Sequence, residues 1–369
     1  MKVVEKILIK VNIVKITSTC FGEKTMKKGT LYGTHRVIEP KGSLPQPALK
    51  ISNDMELYDN EILIDVDYLN IDSASFTQLK EEAHGDMEKV KNNIIKIVVQ
   101  RGKMQNPVTG SGGMLIGRVQ EIGPKLSDKI ELKVGDKIAT LVSLSLTPLK
   151  IKKIKKINPD IDRVEIDGKA ILFESGIYAK LPEDMEDTLA LAALDVAGAP
   201  AQVKKLVKSG DNVLILGATG KSGLMCSCMA KQMVGMEGIV IGQARNENRA
   251  QFLSNTKFCD KVIIADVLNP VSVLEEVQKI FGEEVDITIN CLSIPNTELS
   301  SILPTRNGGI VYFFSMATSF TKAALGAEGV GKDVTMIIGN GYTKNHAQIT
   351  LDLLRESKVL RKIFEEKYV

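Results

Sequence analysis

Gly217-Ala218-Thr219-Gly220-Lys221-Ser222-Gly223 places three glycines at intervals of three residues. The segment follows NVLIL (212–216), a short apolar run that reads as a buried parallel strand. It runs into LMCSCMAKQM (224–233), which reads as an apolar helix. In such a turn one glycine permits the tight reversal, one lets the backbone approach a phosphate, and one lets helix and strand pack closely. Backbone N–H groups at the helix start then face an anion, helped by the helix dipole. The chemistry is capture of a dinucleotide diphosphate, and all seven residues are candidate contacts. The glycine spacing alone is a weak signal; the strand before it and the helix after it supply the context that confirms it. The competing reading is an α/β sheet that binds nothing.

Two further positions belong to the same sheet edge. The second strand of this half ends in Gly242-Gln243-Ala244-Arg245-Asn246, with no carboxylate before Glu247. A carboxylate there would bind the ribose hydroxyl of NAD, whereas an arginine accommodates the extra phosphate of NADP. Arg245 is therefore a candidate cofactor contact, set against an ordinary solvated arginine. Asn290 and Cys291 follow the fourth strand, at the carboxyl edge where dinucleotides lie. Hydride chemistry needs no thiol nucleophile, so Cys291 is read as a contact only.

These residues require a particular scaffold. From about residue 183 strands and helices alternate: GIVIGQA (238–244), KVIIAD (261–266), EVDITINCL (284–292), GGIVYFFSM (308–316) and VTMIIGN (334–340) join the first strand, with a helix over 270–281. DMEDTLALAALDVAGAPAQ (184–202) reads as one helix. The implied fold class is α/β, a Rossmann doubly wound parallel sheet over 183–341. Residues 26–182 are read as short strands with frequent turns: EILIDVDYLNID (61–72), MLIGRVQEIG (114–123) and LKVGDKIATLV (132–142), the texture of a β-barrel lobe. LKIKKIKKI (149–157) reads as a solvated strand or loop rather than an anion site.

Composition narrows the function. A net charge of +3 and 5% aromatic residues give no case for nucleic acid or acidic membranes. No apolar run approaches a membrane span, and charges at Glu5, Lys6, Lys10 and Lys15 interrupt any secretory segment, so a cytoplasmic location is expected. Five cysteines, three histidines and no zinc-type spacing predict neither a disulfide framework nor a metal site. Gly22-Glu23-Lys24-Thr25 back-translates to a purine-rich stretch before Met26, as a ribosome-binding site read in frame would. Residues 1–25 are thus expected to be a non-native or dispensable extension; the alternative is an added strand in ILIKVNIVKI.

GRVQEIG, KVGDKIATL, GIYAKLPEDM and VKSGDNVLILGATGKSG together resemble the medium-chain dehydrogenase/reductase superfamily over most of residues 50–369. That resemblance implies a β-rich GroES-like catalytic lobe at 26–182, completed by about 342–369, and a homodimer joined near the sixth strand. Zinc-dependent members carry Gly-His-Glu where this chain has Gly110-Ser111-Gly112-Gly113, so no catalytic metal is expected. YGTHRVIEPKGSLPQPALKI (32–51), YDNEILIDVDYLNIDSASFTQL (58–79) and GKMQNPVTGSGGMLIG (102–117) are similar to the L-erythro-3,5-diaminohexanoate dehydrogenase family of bacterial lysine fermentation. This resemblance implies NAD-dependent oxidative deamination of a diamino acid, with NADP as the alternative cofactor. A zinc-independent quinone or enoyl reductase and a non-catalytic nucleotide-binding protein are the other readings.

A substrate with two ammonium groups and a carboxylate asks for acidic partners, an arginine, and a base to neutralise the reacting amine. Asp72 ends the run EILIDVDYLNID and Ser73 follows it. The resemblance to the superfamily implies that the segment after this strand lines the substrate cleft, so both are candidates for ammonium binding or base. A helix N-cap is the structural alternative for them. His35, Arg36 and Glu39 form a second candidate cluster: histidine as proton acceptor, arginine as carboxylate clamp. Asn70, Thr109, Ser111 and Gly112 are weaker candidates beside them.

Overall fold

Val213–Leu216 is buried at all four positions, as a central strand must be when helices cover both faces of its sheet. The computed structural model describes residues 26–315, 317–339 and 341–369. The expected extension and the strand alternative within residues 1–25, and the final residues of two expected strands, Met316 and Asn340, lie outside the described residues. In chain order the regular elements are β1 (Val37–Glu39), β2 (Lys50–Ile51), β3 (Glu61–Asn70), α1 (Ser73–Glu82), α2 (Met87–Arg101), β4 (Met114–Ile122), β5 (Lys137–Thr140), β6 (Leu149–Asn158), β7 (Arg163–Phe173), β8 (Tyr178–Lys180), α3 (Asp187–Leu194), α4 (Gly198–Leu206), β9 (Val213–Leu216), α5 (Lys221–Val234), β10 (Val240–Ala244), α6 (Glu247–Thr256), β11 (Lys261–Ile264), α7 (Pro270–Phe281), β12 (Val285–Asn290), α8 (Glu298–Ile302), β13 (Thr305–Phe313), α9 (Phe320–Gly329), β14 (Thr335–Ile338), α10 (His346–Glu356) and α11 (Lys358–Tyr368). A three-residue 3-10 turn, Thr34–Arg36, precedes β1. Among the described residues no helix is long and apolar enough to cross a membrane.

The chain divides into two compact units. The first holds the described residues up to Asp136 together with Val142–Gly176. Its strands β6, β7, β3 and β4 pair antiparallel in that order, with Asn70 at the end of β3 opposite both Met114 and Arg163. The expected strand–turn texture of this half omits α2. Val90, Ile94, Ile97 and Val98 recur on one face and are buried, Asp86 caps the first turn, and Gly102 ends the helix at φ 73. β6 turns Leu149 and Ile154 inward while Lys150, Lys153 and Lys155 stay exposed, as expected for a solvated strand.

The second unit holds Lys137–Leu141 and Ile177–Val369. Its parallel sheet runs β11-β10-β9-β12-β13-β14, the doubly wound order 3-2-1-4-5-6. Leu214, Leu216, Ile241, Ile263, Val273, Val277 and Val285 belong to one hydrophobic cluster of this unit. The helix expected over 184–202 is two helices. Pro200 lacks the N–H and its ring clashes with the carbonyl four residues back, so the helix restarts at Gly198 instead of running through. The C-terminal helices α10 and α11 bury Leu351, Leu354, Leu360, Ile363 and Phe364 and pack on α3, α4 and α5. They lie within this unit and do not complete the first.

Candidate functional site

The strongest site is the turn between β9 and α5. Gly217 adopts φ 74 and accepts the Gly220 N–H at 3.0 Å, closing the turn. A Cβ on Gly223 would stand 2.1 Å from the Gly217 carbonyl oxygen, so only glycine lets α5 come this close to the strand. Gly220 is the N-cap of α5 and offers no side-chain cap, which leaves the first-turn N–H groups of a fourteen-residue helix to an external acceptor. Lys221 is tied by its Nζ to Asp195 at 2.7 Å and lies 5.5 Å from the Tyr368 ring centre. Ala218 is buried beneath the turn; Thr219 and Ser222 are partly exposed.

Beside the turn lies a cavity of about 400 Å³ lined by Gly217, Thr219, Gln243, Arg245, Asp266, Leu268, Ser272 and Leu292 among others. Its size suits a nucleoside, its walls are mostly apolar, and a dinucleotide therefore fits the residues present. Arg245 is exposed on its rim. Gln243 was missed: a polar residue inside the apolar strand VIGQA was the available signal. It is 3% exposed; its Oε1 accepts the Gly217 N–H at 3.1 Å and its Nε2 donates to the Ala265 carbonyl at 2.9 Å.

Asn290 lies elsewhere in function. It is 1% exposed, donates to Thr297 Oγ1 at 3.0 Å and Ser301 Oγ at 2.9 Å, and accepts the Leu292 N–H at 2.9 Å. Its amide braces the loop after β12 and leaves no donor for a ligand. Cys291 is half-buried with Sγ 3.7 Å from Cys226 Sγ, and burial pushes the Cys226 thiol well up.

In the first unit, the two candidate clusters sit at opposite ends of β3. At the Glu61 end, Thr30 N–H donates to His35 Nδ1 at 2.9 Å, which puts the ring proton on Nε2, where it donates to Glu61 Oε1 at 2.8 Å. Arg36, 2% exposed, grips both Glu61 oxygens at 2.6 Å and donates to the carbonyls of Asp54 and Glu56. Burial works to raise the Glu61 carboxyl, but the hydrogen bonds from Arg36 and His35 outweigh it and hold it low. Arg36 is thus the centre of a structural ion pair rather than a carboxylate clamp, and neither nitrogen of His35 is open as a base. Glu39 is exposed at the end of β1.

At the other end, Asp72 caps α1 by accepting the Ala74 N–H at 3.1 Å, the structural role weighed for it, yet its side chain remains exposed. Ser73 Oγ donates to Asp162 Oδ2 at 2.5 Å, so two carboxylates flank this serine. Asp162 was not anticipated. Ser75, Thr109 and Ser111 form a hydroxyl triad, Ser75 Oγ standing 2.5 and 2.6 Å from the other two. Gly112 has no room for a Cβ, which would lie 2.4 Å from the Met104 carbonyl oxygen. Ten residues of strand separate the two clusters by roughly 25 to 30 Å. They cannot both serve one small substrate. Among the described residues no group of three or more His, Cys, Asp or Glu could hold a metal ion.

Residues 35–182 match the model of the L-erythro-3,5-diaminohexanoate dehydrogenase N-terminal domain. The chain is 69% identical over 343 residues to L-erythro-3,5-diaminohexanoate dehydrogenase of Acetoanaerobium sticklandii, covering 93% of this chain and 100% of that one. The chain belongs to this family. A second member, from Fusobacterium nucleatum, is 66% identical over 345 residues, covering 93% and 100%. The solved CurK enoyl reductase superposes with a TM-score of 0.51 at 14% identity, covering 94% of this chain and 89% of that one. This last likeness shows a shared fold and nothing of the chemistry. Among the described residues, the turn at Gly217–Gly223 and the Asp72 end of β3 keep candidate groups exposed.

Proposed function

We propose that this protein is an oxidoreductase that oxidatively deaminates L-erythro-3,5-diaminohexanoate, yielding 5-amino-3-oxohexanoate and ammonia with reduction of NAD. The observation that carries the reading is identity of 69% across the full length of a relative with that activity in its name. The backbone cradle at Gly217–Gly223 supports it by supplying the diphosphate site that such a reaction needs. A nicotinamide held there would supply the acceptor for the hydride on the carbon bearing the 3-amino group, and water adding to the resulting imine would provide the ketone oxygen as ammonia leaves.

The protein's own part is binding, orientation and proton handling. Gly217, the first turn of α5 and the nucleoside-sized cavity hold the dinucleotide, with Lys221 neutralised by Asp195 and so not committed to phosphate. Hydride loss requires a neutral amine, so a base must take the ammonium proton first. We assign that task to Asp72, whose Oδ1 is engaged by Ala74 N–H while the second oxygen has no partner among the described residues. Asp162, which accepts a hydrogen bond from Ser73, would take an ammonium group beside it in this reading. The same reading puts the enzyme in the cytoplasm, in lysine fermentation, as a homodimer. The dimer is supported by β14, which ends the sheet and exposes Ile338.

Incubation of the purified protein with L-erythro-3,5-diaminohexanoate and NAD should release ammonia and NADH one to one. Reduction of quinones or enoyl thioesters by NADPH in its place would overturn the reading.

A further inference from the structure

Gln243 occupies the position one residue before the end of β10, where the nucleoside cavity meets the glycine turn. A primary amide has two N–H donors and an oxygen with two lone pairs. Gly217 N–H takes one lone pair and the Ala265 carbonyl takes one N–H. Exchanging the amide oxygen and nitrogen would set N–H against N–H and oxygen against oxygen, so the orientation of this buried group is fixed. One donor and one acceptor remain, on a side chain that lines the cavity. A hydroxyl offers the same pair in reverse. A phosphate monoester offers acceptors and negative charge only: it can take the remaining N–H but opposes the remaining amide lone pair, so it satisfies half of what a hydroxyl satisfies whole.

Resting on the reading of a nicotinamide-dinucleotide enzyme, we propose that Gln243 determines cofactor choice. It locks the Gly217 end of the diphosphate turn, and it reads the adenosine 2′-hydroxyl of NAD in place of the carboxylate that the end of β10 lacks. Arg245, exposed on the cavity rim, has no bonded acceptor among the described residues and is the competing partner for a 2′-phosphate; equal wild-type affinity for NADH and NADPH would give the choice to it and overturn the proposal.

The test is direct binding, read by nicotinamide fluorescence without substrate. Wild-type protein should bind NADH at least tenfold more tightly than NADPH. It should bind the NADH analogue lacking the adenosine 2′-hydroxyl about tenfold more weakly than NADH itself. In Gln243→Met the penalty for the missing hydroxyl should fall below twofold, and the preference for NADH over NADPH should shrink at least fivefold. A merely structural glutamine would weaken all three ligands in Gln243→Met by one common factor, which overturns the proposal. Equal wild-type affinity for NADH and its 2′-deoxy analogue overturns it with no variant needed, and so covers the case in which Gln243→Met does not fold. Absence of saturable binding of either dinucleotide to the wild type would instead sink the dehydrogenase reading on which the proposal stands.

Discussion

Asp72 caps α1, and the proposed function gives it a second task as the base; one substitution separates the two. Asparagine caps helices about as well as aspartate, so Asp72→Asn should leave stability within about 0.5 kcal/mol while removing the charge. If Asp72 takes the ammonium proton, the rate of deamination should fall by about 100-fold or more; an unchanged rate would reassign the base. Lys103 poses the opposite case. Fully buried, its Nζ donates to the carbonyls of Pro45 and Gln46 at 2.6 and 2.9 Å. Burial, aided by the Arg101 charge, pushes its pKa down from 10.5 to about 8. The unfolded chain therefore holds this proton more tightly than the folded one. The cost of burying the charge is present in full below pH 8 and is relieved as pH rises from there toward 10.5, by roughly 3 kcal/mol in total. Urea midpoints between pH 8 and 10 should rise with pH in the wild type relative to Lys103→Met; parallel curves would show that the ammonium is not the cause.

At the scale of elements, the β9–turn–α5 unit is the part most tightly specified. Gly223→Ala would press a methyl group against the Gly217 carbonyl, and either the turn or the helix must move. NADH affinity should drop at least tenfold, with the far-ultraviolet spectrum retained; unaltered affinity would mean that the turn does not hold the diphosphate. The six parallel strands were legible because their buried runs are bounded by turn residues, and the glycine spacing located the turn. Helix α2 was equally visible in Val90, Ile94 and Ile97 once sought at helical spacing, but the strand-like texture around it set the wrong period. The split of 184–202 into α3 and α4 was signalled by Pro200, whose effect on the preceding turn outweighs the alanine-rich propensity.

For the whole molecule, the two units each have a core, and the dinucleotide contacts assigned above all lie in the second. NADH at about 100 times its Kd should stabilise the ligand-binding unit by about 2.7 kcal/mol. Hydrogen exchange should then show the gain in β9, β10 and α5; no slowing there would place the ligand elsewhere. By itself the sequence determined the doubly wound fold class and located the glycine turn, because periodicity and glycine spacing are local properties that neighbouring residues enforce; the family followed separately, from resemblance over long stretches of the first half. Only the tertiary structure decided which polar groups are open. His35 and Arg36 read as catalytic until Glu61, twenty-six and twenty-five residues further along, is seen to consume them. Asn290 reads as a contact until Thr297 and Ser301 close around it, and Gln243 passes unnoticed until Gly217 and Ala265 converge on its amide. A hydrogen bond satisfied across a fold leaves no mark in the local pattern, so the partners that remove or create a site are known only once the chain has folded.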